Sequence, residues 1–279
     1  MQVTFYGVRG SIPTPGPDYV RYGGNTACVH LVLNDGTDII LDAGTGIRLL
    51  GNKLAKTSTP IHLLLTHNHW DHIQGFPFFA PAYQKSREII IYPGRTSLPE
   101  YDQILQQMKG SVFPVPFDAL SSAIRLEVLP EDKESWTINS AVIRRITMNH
   151  PGSGSAYLIE ADGAKIGYLT DNELYPPYKK ETDFMQFVDF VRDADLLIHD
   201  AQYMLDDMPA KSGWGHSVAE EAVKLAMAAN VKQLALYSHD PERTDDDIDH
   251  VVAHCHQYVT LMQSSVSVFA AAEGQHLSF

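Results

Sequence analysis

Apolar runs of period two alternate along this chain with stretches of period 3.6. In the first half the pattern predicts strands at residues 3–6, 27–33, 38–42, 61–65 and 88–92. Asn34-Asp35-Gly36-Thr37, between the second and third of these, is a hairpin signal. Gly44-Thr45-Gly46 turns into a helix expected to end before Thr57. Helical spacing returns over 99–109, with Pro99 suited to a first helical position and Gly110 as the stop. Strands follow at 124–129, 136–138 and 141–148. Two more, at 156–160 and 165–170, flank a second hairpin signal, Ala161-Asp162-Gly163.

The last third alternates helix and strand. A helix is expected over 182–192 and a short buried strand at 196–199. Ser217-Val218-Ala219-Glu220 reads as a capping box opening a helix to residue 229. A strand at 233–238 comes next. Thr244-Asp245-Asp246-Asp247 then opens a helix with acids in its first turn, as the helix dipole prefers. A strand at 265–271 closes the pattern. Many strands with helices between them, and no repeat or linker-like stretch, imply one layered α/β domain over residues 1–279. Residues 111–117 and the proline-bearing 175–180 are candidate substrate loops, the latter a candidate lid.

Composition narrows the function. Lys plus Arg is 21 against 34 Asp plus Glu, a net charge of −13, which weighs against a general nucleic-acid binder. A local basic pocket, or a metal site supplying its own positive charge, stays open. Two cysteines, Cys28 and Cys255, exclude a disulfide scaffold and a cysteine zinc cluster, and read as free thiols in a reducing compartment. Neither a signal peptide nor a membrane span is read, so a cytoplasmic enzyme with no membrane partner is the expectation. The unusual count is histidine, at 13.

Those histidines cluster. His67, His69, Asp71 and His72 follow directly on the strand at 61–65. A strand that ends in a loop and starts a helix can turn two histidines toward one point. The next Asp and His can then face a second point, and two such points make a dinuclear metal site. Imidazole and carboxylate ligands suit zinc, manganese or iron. A solvated polar loop does not account for this density of ligand types at the end of a buried strand.

His67-Asn68-His69-Trp70-Asp71-His72 resembles the His-x-His-x-Asp-His signature of the metallo-β-lactamase superfamily. The resemblance runs along most of the chain. Asp42 precedes a Gly-rich turn, and His150, Asp171 and His239 each follow a predicted strand. It implies a four-layer αββα sandwich with the metal site at one edge. In the implied assignment His67, His69 and His150 hold one divalent ion, and Asp71, His72 and His239 hold a second. Asp171 bridges the two, and Asp42 orients a ligand histidine. His69 stands where the redox di-iron branch usually carries Glu, which implies hydrolysis.

A narrower resemblance joins Leu197-Ile198-His199-Asp200-Ala201 to Gly215-His216-Ser217. These are similar to the paired loops of the phosphodiesterase branch, which includes tRNA 3′-processing endonucleases and cyclic-nucleotide phosphodiesterases. Gly7-Val8-Arg9-Gly10-Ser11 and Tyr22-Gly23-Gly24-Asn25-Thr26 resemble the same branch. The acid here is Asp200, where the endonucleases usually have Glu. The implied chemistry is in-line attack on phosphorus by a hydroxide bridging the metals. His216, positioned by Asp200, would protonate the leaving alkoxide, and Asp71 completes the catalytic set.

Endonucleases of that branch hold tRNA with an arm inserted between the third histidine and the bridging aspartate. Here His150 and Asp171 are 21 positions apart and one predicted hairpin fills the interval. The expected substrate is therefore a small phosphodiester, a cyclic nucleotide first, and large RNA is not expected as a partner. A tRNA 3′-processing endonuclease and a lactone or ester hydrolase are the alternatives, and a metal-binding protein without turnover is a third. A homodimer is compatible with the sequence. His250, His254 and His256 read as an exposed helix face, and Tyr175 and Tyr178 as packing residues that could instead stack on a base. Gly44-Thr45-Gly46 lacks the Gly-Lys-Ser/Thr of a phosphate loop.

Overall fold

Side chains on a strand point alternately to opposite faces, and in this protein both faces of the central strands are apolar. Ile39 and Leu41 enter one core while Ile40, between them, enters another. Such strands need cover on both sides, and the chain supplies it as four layers. The computed structural model describes residues 1–85, 87–98 and 100–279. The first half contains β1 (Gln2–Gly7), β2 (Cys28–Val32), β3 (Asp38–Leu41), α1 (Ile47–Leu54), β4 (Ile61–Leu64), α2 (Trp70–Ile73), β5 (Glu88–Tyr92), α3 (Gln103–Gln106) and β6 (Ala123–Leu126). The second contains β7 (Ser135–Ile138), β8 (Ala141–Thr147), β9 (Ser155–Ala161), β10 (Ala164–Leu169), α4 (Phe184–Phe190), β11 (Leu196–Asp200), α5 (Ala219–Ala228), β12 (Gln233–Tyr237), α6 (Asp245–Leu261) and β13 (Ser267–Ala270). A last strand, β14 (His276–Ser278), returns to the edge of the first sheet and pairs with β1.

Two sheets result among the described residues, ordered β14-β1-β2-β3-β4-β5-β6 and β13-β12-β11-β10-β9-β8-β7. Pairing is antiparallel from β14 to β3 and from β7 to β10. It is parallel from β3 to β6 and from β10 to β13. The sheets face each other across a core that includes Phe5, Leu31, Leu41, Ile159, Ile166 and Ile198. Ile47, Leu50 and Leu54 of α1 cover the outer face of the first sheet, with Phe76 and Phe79 beside them. Phe187 of α4, Val223 of α5 and Val251 of α6 cover the second. Each such Leu, Ile or Phe contributes about 1.5–3 kcal/mol by leaving water. The architecture is the αββα sandwich of the α/β class.

Three tyrosines of the second sheet hydrogen-bond across to the first. Tyr157 donates to the Leu65 carbonyl at 2.6 Å, Tyr168 to Asp42 Oδ2 at 2.9 Å and Tyr237 to the Gly7 carbonyl at 2.6 Å. Among the described residues, no helix is long and apolar enough to cross a membrane.

Three expectations change. The helix expected over 99–109 contracts to Gln103–Gln106, and Pro99 lies outside the described residues. Within the expected span Glu100 N bonds to the Leu98 carbonyl, and past α3 the bonds tighten to i→i−3, from Met108 N to the Leu105 carbonyl and from Lys109 N to the Gln106 carbonyl. The capping box expected at Ser217 does not form, and Val218 is the N-cap of α5. Ser217 Oγ instead accepts from Leu174 N and donates to the Asn172 carbonyl. The strand expected at 265–271 does not end the pattern, because β14 follows it.

Candidate metal centre

The loop after β4 and the short α2 carry the densest chemistry. His69 has extended φ and ψ and serves as the N-cap of α2, so the backbone turns sharply at that point. His67 and His69 lie before the turn, and Asp71 and His72 lie in the first turn of the helix. Ser11 N donates to Asp71 Oδ2 at 2.8 Å and fixes that carboxylate. Asp42, just beyond β3 at φ 60°, accepts from Thr66 N at 2.8 Å and from Tyr168. His72 Nδ1 donates to Asp42 Oδ2 at 2.9 Å, so its Nε2 points away, 3.1 Å from Asp171 Oδ2 and 3.4 Å from Asp71 Oδ2. Asp42 thus holds a histidine ring in the orientation a ligand needs.

The second sheet answers with single residues. His150 follows β8, and its Nδ1 donates to the Gly215 carbonyl at 2.9 Å. Its Nε2 lies 2.9 Å from His69 Nδ1 and 3.9 Å from Asp171 Oδ2. Asp171 follows β10 at φ 50° and turns Oδ2 toward His67 Nε2, 3.7 Å away. Two sets of donor atoms converge. His67, His69, His150 and Asp171 form one, and Asp71, His72 and Asp171 form the other, with all donor atoms of a set within 4.8 Å of one another. Asp171 belongs to both.

These residues fit a pair of divalent cations. His67 Nε2 is buried with no hydrogen-bond partner, aimed into the cluster. Burial pushes His67 well down, with His72 and His150 adding to it, and burial takes His150 down to about 4. Both rings are thereby neutral, with bare nitrogens. Burial alone would lower His72 as well, but Asp171, Asp71 and Asp42 outweigh it and hold that ring well above the usual imidazole value. Three carboxylates around one ring are a local excess of negative charge that a cation neutralises.

A third group adjoins the second. Asp171, Asp200 and His216 also bring donor atoms within 4.8 Å of one another. His216 Nδ1 faces Asp200 Oδ2 at 2.6 Å, and Asp200 Oδ1 accepts from Gln202 N and Ser217 N at 3.1 and 3.0 Å. Burial would lower His216, but Asp200 and then Asp171 override it and push it up to about 9. Gly215 is irreplaceable here: at φ 90°, a Cβ would lie 2.1 Å from His150 Nδ1.

His239 is the correction. The structure does not gather it with the other ligand types. Its Nε2 bonds to the Ala271 carbonyl at 2.9 Å and its ring packs on Tyr22. Alternation along β12 would carry residues 235, 237 and 239 to one face. The left-handed conformation at Ser238, φ 57°, ends the alternation one residue early. Ser238, not His239, faces the cluster, with Oγ 3.2 Å from Asp171 Oδ1.

The remaining candidates stay apart from the centre. His254 Nε2 bonds to Glu220 Oε1 and His256 Nε2 to the Val268 carbonyl, while His250 is exposed on α6. Tyr175 stacks on Phe184 at 5.6 Å. Cys28 and Cys255 are free and buried.

Sequence reasoning missed Glu173, which is buried and accepts from Gly213 N and Gly215 N, both at 2.9 Å. It holds the loop that presents His216. The available signal was weak: a carboxylate two residues after Asp171, and glycines far along the chain. It also missed Ser238, whose only signal was its place beside a histidine.

A cavity of about 400 Å³ opens beside the first donor set, lined by residues that include His67, Trp70, Arg95, Leu98 and Gly152. Trp70 is 66% exposed at its rim and offers a flat face.

A family model described as a beta-lactamase superfamily domain matches residues 37–239. The ribonuclease Z of Thermoplasma acidophilum is 28% identical, with 89% of each chain covered. Among solved structures, the metallo-beta-lactamase fold protein YhfI from Bacillus subtilis superposes with a TM-score of 0.70 at 19% identity, covering 99% of both chains. Human tRNase Z, short form, gives 0.64 at 20% identity, with 100% of this chain and 99% of that chain covered.

Proposed function

The chain belongs to the metallo-β-lactamase superfamily and is a metal-dependent hydrolase, and from that premise we propose that it cleaves phosphodiesters with His216 as the proton donor to the leaving group. The observation that carries this is the buried His216–Asp200 pair at 2.6 Å, set against Asp171 at the edge of the metal centre. A carboxylic ester or lactone leaving group has less need of a dedicated acid than a poor alkoxide leaving phosphorus.

His67, His69, His150 and Asp171 would hold one divalent ion, and Asp71, His72 and Asp171 the other. Two such ions, when bound, supply the Lewis acidity and the activated water that diester hydrolysis needs. The protein's own part is positional. Asp200 occupies His216 Nδ1, which leaves Nε2 as the nitrogen that presents a proton to the departing oxygen. Gln202 N and Ser217 N hold Asp200 from behind, so the imidazole has one orientation. Asp42 does the same for His72.

Two observations bear on the diester. The β9–β10 hairpin fills the interval between His150 and Asp171, and the cavity of about 400 Å³ suits a nucleotide-sized group. Both favour a compact substrate such as a cyclic nucleotide, with Trp70 as a stacking face. The ribonuclease Z relatives, matched over nearly their full length, favour an RNA 3′ end and lean against the expectation that large RNA is no partner. The likeness to known proteins supports that second reading better than the cyclic-nucleotide one.

The test compares leaving groups. His216→Ala should keep its metal and lose about 100-fold or more in turnover on an alkoxide diester. Bis-nitrophenyl phosphate, whose leaving group needs no proton, should be nearly spared. Equal losses on both would remove His216 from the chemistry. The same assay with 3′,5′-cyclic AMP and a precursor tRNA bearing a 3′ trailer decides which diester is preferred.

A further inference from the structure

The two donor sets are chemically unequal. The first offers three imidazole nitrogens and one carboxylate, a combination that suits zinc. The second offers one imidazole and two carboxylates, one of which it shares. After β12, where the family resemblance implies the last imidazole of the second set, Ser238 is the residue that meets Asp171, while His239 is spent on the Ala271 carbonyl. Ser238 Oγ sits between Asp171 Oδ1 at 3.2 Å and Gln202 Oε1 at 3.3 Å, and it is buried. Gly10 closes this corner from behind: a Cβ there would come 2.6 Å from Ser238 Oγ and 2.5 Å from Gln202 Oε1. The hydroxyl is thereby held against Asp171 Oδ1, which also accepts from Thr170 Oγ1 at 3.0 Å. Beside Asp171 Oδ1 this corner presents the oxygens of Ser238 and Gln202, where a nitrogen would be needed to match the first set.

We propose that the centre binds two different ions in two different ways: a tight zinc at His67, His69, His150 and Asp171, and a weak, exchangeable hard cation such as manganese at Asp71, His72 and Asp171. This rests on the two-ion reading above. Oxygen-rich donor sets take manganese or magnesium, whereas nitrogen-rich sets take zinc. With fewer ligands of its own, the second position keeps more solvent and releases its ion readily. Ser238 acts on it as a positioning residue, through Asp171.

The test is metal binding by the metal-free full-length chain. Calorimetric titration with zinc, then with manganese followed by its paramagnetic resonance, should give one tight zinc and one manganese bound at least about 100-fold more weakly. Ser238→His should strengthen the second event for zinc by about 10-fold or more, and His239→Ala should leave both events unchanged. Two equally tight zinc ions in the unaltered protein would overturn the inequality and leave the two-ion reading standing. Loss of the second event in His239→Ala would overturn the role given to Ser238. Absence of any binding at either position would overturn both readings together.

Discussion

In the first sheet the antiparallel run gives way to parallel strands at β3, and in the second at β10. Each of these strands is followed by an aspartate with positive φ, Asp42 at 60° and Asp171 at 50°. Among the described residues, both sheets also carry three α-helices on their outer faces, inserted after corresponding strands. One strand plan is thus used twice. Past that shared point the halves diverge. The first concentrates its chemistry in one segment, with His67, His69, Asp71 and His72 on the single connection after β4. The second spreads it, with His150 after β8, Asp171 after β10, Asp200 at the end of β11 and Ser238 after β12.

The two modes are held by different forces. In the concentrated half, the relative placement of four side chains follows from one local backbone path, an extended residue entering a helix. In the distributed half it follows from strand pairing and from bonds between loops far apart in sequence. Glu173 to Gly213 and Gly215, and Asn149 to Asn172, are the clearest of these. Remote substitutions should therefore disturb the second half more than the first.

The largest effect should come from breaking either half at its ligands. His67→Ala and Asp171→Ala should each lose bound metal and at least about 1,000-fold in turnover, and a chelator should do the same to the intact protein. Metal analysis alongside the assay decides it, and full metal content in either variant would release that residue from its role. Next comes Asp200→Asn, which should cost about 100-fold on poor leaving groups with metal content intact.

Glu173→Gln sharpens the contrast. It touches no ligand, yet it weakens the anchor of two backbone N–H groups, so denaturant unfolding should register a loss of about 1–3 kcal/mol. An unchanged midpoint would show that the distributed half does not depend on that anchor. The smallest effect belongs to the exposed face of α6: removing the His254–Glu220 pair by His254→Ala should stay within about 0.5 kcal/mol. A larger loss there would mean that the surface of α6 matters to the fold in a way its exposure does not reveal.

The same contrast explains what could be read from the chain alone. Strands that are mostly apolar, such as β4, β11 and β12, were legible because burial on two faces leaves a simple signature. So was the concentrated segment, since ligand types at such spacing have one simple arrangement. β14 was not legible: His276-Leu277-Ser278 has almost no pattern, and only the open edge of β1 makes it a strand. Ser217 carried a correct local signal that tertiary bonding overrode. His239 failed for a different reason. At an isolated strand end, one residue in the left-handed region shifts the phase, and nothing nearby in sequence records it.

The tyrosine bonds between the sheets have a consequence for how the molecule comes apart. Tyr157, Tyr168 and Tyr237 each reach the end of a strand in the other half, and all three are buried. If the halves separated, three hydroxyls and their partners would lose their bonds at once, and the apolar faces around them would meet water. A species with one half folded and the other open is therefore disfavoured on both sides of the split. Although the architecture is doubled, unfolding should proceed as a single cooperative transition, with the repeated plan invisible to calorimetry.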